Sequence, residues 1–128
     1  MKIKQVCEMT GLTPRAIRLY CERGLIHPKQ EQIGGRIYTT FCRQDADTLR
    51  RISVLRRMEF TLDEISHMIH QGQLQEMLEV LKERLEAQCT KEQQLLEIII
   101  QVQQEQWLSF EQLASTLEKA MRFKQSHL

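Results

Sequence analysis

The chain has 128 residues, 41% of them hydrophobic and 27% charged, with 18 Lys and Arg against 17 Asp and Glu. That balance excludes a disordered polymer, and no apolar run approaches the roughly 18 residues of a membrane-spanning helix. Aromatic residues reach only 5% and glycines number five, which argues against a large β-sheet, because strands favour aromatic and β-branched residues.

The net charge of +1 conceals an asymmetry. Residues 1–70 carry twelve basic and eight acidic side chains, and residues 71–128 carry six and nine. A basic head on an acidic helical arm fits a nucleic-acid-binding protein; an ordinary mixed surface is the plain alternative. The N-terminus, MKIKQVCEMT, lacks a signal-peptide apolar core, so a cytoplasmic location is expected. Cys7, Cys21, Cys42 and Cys89 show no CxxC spacing and read as reduced thiols rather than a disulfide framework.

In chain order, Ile3 to Met9 is a short helix with Ile3, Val6 and Cys7 on one face, and Gly11 stops it. Thr13 reads as an N-cap and Pro14 as the first residue of a second helix reaching about Arg23. That helix is expected to bury Ile17, with Leu19 or Cys21. Two short helices joined by a glycine-containing turn form a helix-turn-helix. Between Leu25 and Phe41, the β-formers Arg36 to Phe41 and the pair Gly34-Gly35 predict a β-hairpin with its tip near Ile33 to Gly35.

A third helix is expected from about Arg43 to Met58, with Ala46, Leu49, Ile52, Val54 and Leu55 as its apolar set. Thr61-Leu62-Asp63-Glu64 is a capping box that opens a fourth helix through Ile65, Met68 and Ile69, broken at Gly72. From Leu74, the residues Leu74, Leu78, Leu81, Leu85, Leu95, Ile99 and Val102 follow alternating four- and three-residue steps. That is a heptad seam, interrupted where Gln88 and Glu92 stand. Ser109 and Gln112 suggest a last cap, before a short helix with Phe110, Leu113, Leu117 and Met121 on one face.

The segment Thr10 to Ile26, TGLTPRAIRLYCERGLI, carries the functional argument. A recognition helix needs basic or amide side chains on its exposed face. Arg15 and Arg18 are three apart and share a face. The Tyr20 hydroxyl suits a phosphate, as do the free N–H groups behind Pro14. A surface helix with two arginines is the plain alternative.

This segment resembles the MerR family of bacterial regulators through Thr10, Gly11, Leu12, Thr13, Arg15, Ile17, Arg18, Tyr20, Gly24 and Leu25. Asp45, Leu49, Ile52, Leu55, Arg56 and the run Phe60 to Ile65 look like that family's third and fourth helices. The resemblance is strong over residues 1–70 and extends over 74–106 only as a long pairing helix. Two departures stand out. Leu19 precedes Tyr20 where the family often has a second aromatic. The family's Tyr-Arg-x-Tyr wing aligns with Tyr38-Thr39-Thr40-Phe41 when anchored on Asp45, leaving Thr39 in place of arginine. Arg36 is a substitute, or Arg36-Ile37-Tyr38 is the matching segment with three residues inserted.

The resemblance implies a mainly α fold with a small β-hairpin wing. Residues 1–70 would form a winged helix-turn-helix DNA-binding head. Residues 74–106 would form an antiparallel coiled-coil dimerisation helix, and 109–128 a short C-terminal helix and tail. It implies a homodimer on double-stranded, near-palindromic promoter DNA that acts on RNA polymerase by distorting the promoter spacer. The expected DNA-binding residues are Lys4, Thr13, Arg15, Arg18, Tyr20, Arg36 and Tyr38. The effector is unknown. The alternatives are an architectural DNA-bending protein without effector, a thiol- or metal-responsive sensor through Cys89, and a coiled-coil interaction module.

Family members that sense metals use cysteines in or after the pairing helix, and no cysteine follows Cys89 here. His67 and His70, three apart, are a weak chelating pair that more often reads as surface. Cys89 also reads as a small buried residue beside the seam. No phosphate loop, HExxH or catalytic triad spacing is present, so neither enzyme activity, cofactor nor metal is expected.

Overall fold

The structure, a computed structural model, describes residues 1–106 and 109–126. The last two residues of the expected C-terminal tail lie outside the described residues. In chain order the elements are α1 (Ile3–Thr10), α2 (Pro14–Glu22), β1 (Lys29–Ile33), β2 (Arg36–Thr40), α3 (Arg43–Arg57), α4 (Leu62–Gln71), α5 (Leu74–Gln103) and α6 (Phe110–Ser126). This is a mostly helical fold with one hairpin after a helix-turn-helix. The chain divides into two compact units, Met1–Leu81 and Lys82–Leu128.

In the first unit the local signals set the helix ends. Gly11 closes α1 in the left-handed region at φ 74°, and its N–H bonds the Cys7 carbonyl. The Thr13 hydroxyl accepts from the Ala16 N–H at 3.1 Å, and Pro14 fills the first position of α2. Asp45 accepts the Cys42 N–H at 2.9 Å at the start of α3. Thr61 and Glu64 bond each other's backbone N–H at 2.8 and 3.1 Å, completing the capping box of α4. Each such bond serves a donor that the helix start would otherwise leave open.

The core of this unit joins Val6 of α1, Ile17 and Tyr20 of α2, Leu25, Ile26 and Phe41 of the connections, Ala46, Leu49 and Ile52 of α3, and Phe60 and Ile65 around α4, all buried. Three expected core positions differ. Leu19 is 38% exposed and Cys21 half-buried, while Tyr20 takes the inward place. The reason is geometric: Tyr20 lies three residues from Ile17 and shares its face, whereas Leu19 at two residues points away. Val54 is exposed for the same reason, two residues beyond the buried Ile52.

The hairpin pairs Lys29 with Thr40, Gln30 with Thr39, Glu31 with Tyr38, Gln32 with Ile37 and Ile33 with Arg36. Gly34 and Gly35, at φ 59° and 82°, form its two-residue tip. A two-residue connection with positive φ at both places matches the twist of the strands it joins, and glycine adopts it without a Cβ clash. The first turns of α5 complete this unit, with Leu81 buried.

In the second unit, Ile98 and Val102 of α5 are buried. Leu113, Thr116, Leu117 and Ala120 form a half-buried face of α6. The Ser109 hydroxyl caps α6 by accepting the Gln112 N–H at 3.2 Å. Phe110 and Met121, expected on that face, are exposed.

Candidate nucleic-acid interface

The chemistry of the head concentrates on one face of α2. Its inward positions are Ile17 and Tyr20. Its outward positions are Arg15, Arg18, Leu19 and Glu22, all exposed, at the i, i+3, i+4, i+7 spacing of a single helix face. The Thr13 cap and Pro14 fix where that face begins. Pro14 has no N–H and Thr13 takes those of Ala16 and Ile17, so the Arg15 N–H is the one left at the positive end of the helix dipole, a favourable place for an anionic oxygen.

Several cations of the head are already paired. Arg23 meets Asp63 at 3.3 Å, Lys29 meets Glu31 at 3.1 Å, and Arg50 pairs with Asp47. Arg56 donates to the Phe60 carbonyl at 2.9 Å. Lys4, Arg15, Arg18 and Arg36 form no salt bridge among the described residues and are exposed. Charge that remains uncommitted in the free chain is what a polyanion can recruit without breaking an internal pair.

Between α2, the N-terminal segment and the wing lies a concave groove of about 570 Å³. Lys2 and Arg18 put positive charge on its wall, Glu22 negative charge, and Tyr38, Thr39 and Thr40 bring the wing strand to it. Of the expected site residues, Arg18 and Tyr38 therefore meet here; Lys4, Thr13, Arg15, Tyr20 and Arg36 do not line it. Lys2 was not among the expected residues. Its signal was the basic Lys2–Lys4 pair at the start of the first helix.

Tyr20 is 6% exposed, so its ring is core. Its hydroxyl forms no hydrogen bond among the described residues, yet no fully buried side-chain N or O there lacks a partner. The oxygen therefore keeps a rim of solvent contact. Arg36 sits beside the hairpin tip, opposite Ile33, and Tyr38 follows two residues later on the same strand face.

Cys21 lines the groove behind Arg18. Burial pushes its thiol above the ordinary cysteine range, and the nearby carboxylates of Asp45 and Glu22 push the same way, against a backbone hydrogen bond that lowers it. Cys42 and Cys89 are exposed and all four cysteines are free. Burial of Cys89 beside the seam would therefore have to come from a partner helix. His67 and His70 do not point at a common centre: Nε2 of His67 donates to the Gln73 side chain, and Nε2 of His70 donates to the Gly24 carbonyl at 3.1 Å. No three His, Cys, Asp or Glu side chains gather as a metal site among the described residues. No helix among them is long and apolar enough to cross a membrane.

Comparison with known proteins bears on this surface. The family described as MerR HTH family regulatory protein matches residues 1–72. The HTH-type transcriptional regulator CueR of Vibrio cholerae is 42% identical over 69 residues, 54% of this chain and 48% of that protein. The HTH-type transcriptional regulator YfmP of Bacillus subtilis is 42% identical over 69 residues, 52% of this chain and 47% of that protein. The chain thus spans about half the length of the curated relatives it matches. A crystal structure of a MerR-family transcriptional regulator from Bacillus cereus superposes with a TM-score of 0.64 at 22% identity, covering 97% of this chain and 98% of that one. At that identity the likeness speaks for the fold.

Proposed function

The chain belongs to the MerR family of helix-turn-helix regulatory proteins, and from that membership we propose that it regulates transcription as a homodimer on near-palindromic double-stranded promoter DNA. The carrying observation is the outward face of α2, with two arginines that form no salt bridge among the described residues, behind a capped, proline-started helix end. In this reading α2 enters the major groove, where Arg15 and Arg18 meet base edges and Thr13 lies against the phosphates. Lys4, the rim of Tyr20, Arg36 and Tyr38 hold the backbone. In this reading the protein works in the cytoplasm, and its role is regulatory rather than catalytic.

The dimer part of the proposal is supported by apolar side chains that a lone chain leaves in water. In the first unit these are Leu74 and Leu78 of α5; in the second they are Leu95, Leu96, Ile99 and Ile100. An antiparallel partner helix would cover them, and a two-fold dimer would present two recognition helices to two half-sites. Residues 74–106 then form the pairing arm, and a short C-terminal segment follows it in the chain. Distorting the promoter spacer for RNA polymerase would cost on the order of 1–6 kcal/mol of DNA deformation, drawn from protein–DNA contacts and biased by an effector.

Selection of binding sites from a random-sequence duplex library by the full chain tests the reading. Enrichment of a near-palindrome is the expected result. Enrichment of no sequence, with binding that depends only on salt, would leave an architectural DNA-bending protein. Absence of any DNA binding would leave a coiled-coil interaction module.

A further inference from the structure

We propose that Leu19 is a specificity-determining residue that reads a thymine 5-methyl group in each half-site; this rests on α2 being the recognition helix. The outward face of α2 runs Arg15, Arg18, Leu19, Glu22. Leu19 is 38% exposed, although Ile17 beside it is fully buried and Tyr20 nearly so. It lies one turn beyond Arg15 and adjoins Arg18, so it stands within the DNA-facing patch rather than at its border. Glu22, one turn beyond Arg18, forms no salt bridge among the described residues.

Neither Leu19 nor Glu22 can serve a phosphate. One offers no donor, and the other repels an anion. A face made to grip the sugar–phosphate backbone would carry donors at these two positions. A face set against the floor of the major groove meets different partners: acceptors on guanine for arginine, the amino group of cytosine for glutamate, and the methyl group of thymine for an apolar side chain. Leucine in the middle of such a face has one apolar counterpart in B-form DNA, and that is the thymine methyl. Contact removes both apolar surfaces from water.

The test uses the duplex enriched from the random library and the full chain. Each thymine is replaced in turn by deoxyuridine, which deletes the methyl and leaves base pairing unchanged. Affinity is measured for the unmodified protein and for Leu19→Ala. The expected result is one thymine per half-site whose replacement weakens binding about fourfold, the worth of one buried methylene-sized group. With Leu19→Ala the same replacement should change affinity by less than about 1.5-fold, because the methyl has then lost its partner. Equal sensitivity to deoxyuridine in both proteins, or none at any thymine, overturns the assignment and leaves Leu19 an ordinary surface leucine. If no duplex is enriched at all, the recognition-helix reading falls and the Leu19 assignment falls with it.

Discussion

Arg15 and Arg18 stand out because no carboxylate among the described residues holds either of them. Arg23, Lys29 and Arg50 are each held by a carboxylate, so the basicity of the head overstates what remains for a partner. Arg15→Ala and Arg18→Ala should each weaken binding to the selected duplex by about 1–3 kcal/mol, the range for losing a base-contacting arginine. Fluorescence anisotropy titration measures this, and unchanged affinity in both would mean that α2 is not the reading helix. Cys21 gives a second residue-scale expectation. Its thiol is half-buried and pushed toward the protonated form by burial, and the thiolate is the reactive species. At pH 8 iodoacetamide should label Cys89 faster than Cys21, as mass mapping of peptides would register; the reverse order would contradict the burial of Cys21. That Arg15 and Arg18 share an exposed face was legible from their spacing. The inward turn of Tyr20 was not, because a tyrosine suits both a phosphate and a core, and the choice depends on Ile17 and the helices packed above it.

At the scale of elements, the legible features were those written in adjacent residues. Thr13-Pro14, Thr61 to Glu64 and the Gly34-Gly35 pair each act through backbone groups within four positions, so their geometry needs no tertiary information. Thr61→Ala should cost about 0.5–2 kcal/mol through loss of the cap on α4, measured as a lower midpoint in urea unfolding. No change would mean that the capping bond contributes nothing net. Faces were harder to read. Val54 continues the apolar run of α3 but lies outside, since two residues beyond Ile52 it faces the other way. In the wing, the pairing of Arg36 with Ile33 puts the arginine beside the tip. Arg36→Ala should therefore weaken all duplexes alike and lower the magnitude of the salt slope by about one unit. A loss confined to one base pair would instead make Arg36 a base reader.

At the scale of the whole molecule, the heptad pattern from Leu74 mixes two kinds of position. Leu81 and Val102 are already buried within the chain, while Leu74, Leu78, Leu95 and Ile99 are exposed. Periodicity alone cannot separate these sets, because packing within a chain and packing between chains reward the same apolar spacing. The exposed set is the one to perturb. Leu95→Glu combined with Ile99→Glu should shift the protein from dimer to monomer at micromolar concentration in sedimentation velocity while leaving its helical circular dichroism in place. A monomer in the unmodified protein would remove the pairing. The centre of α5 falls between Gln88 and Cys89, so an antiparallel dimer would bring its two exposed Cys89 thiols close to the two-fold axis.

Hydroxyl-radical footprinting of the full chain on the enriched duplex tests the central claim most directly, since it reports recognition and dimer geometry together. Two recognition helices on a two-fold axis predict two protected tracts on one face of the DNA, symmetric about the centre of the near-palindrome. Their spacing should be one helical turn, about 10–10.5 base pairs, or a multiple of it, and both should weaken together with Arg15→Ala at a protein concentration that just saturates the site for the unmodified chain. A single protected tract, or uniform protection that follows salt concentration and ignores sequence, would contradict the account.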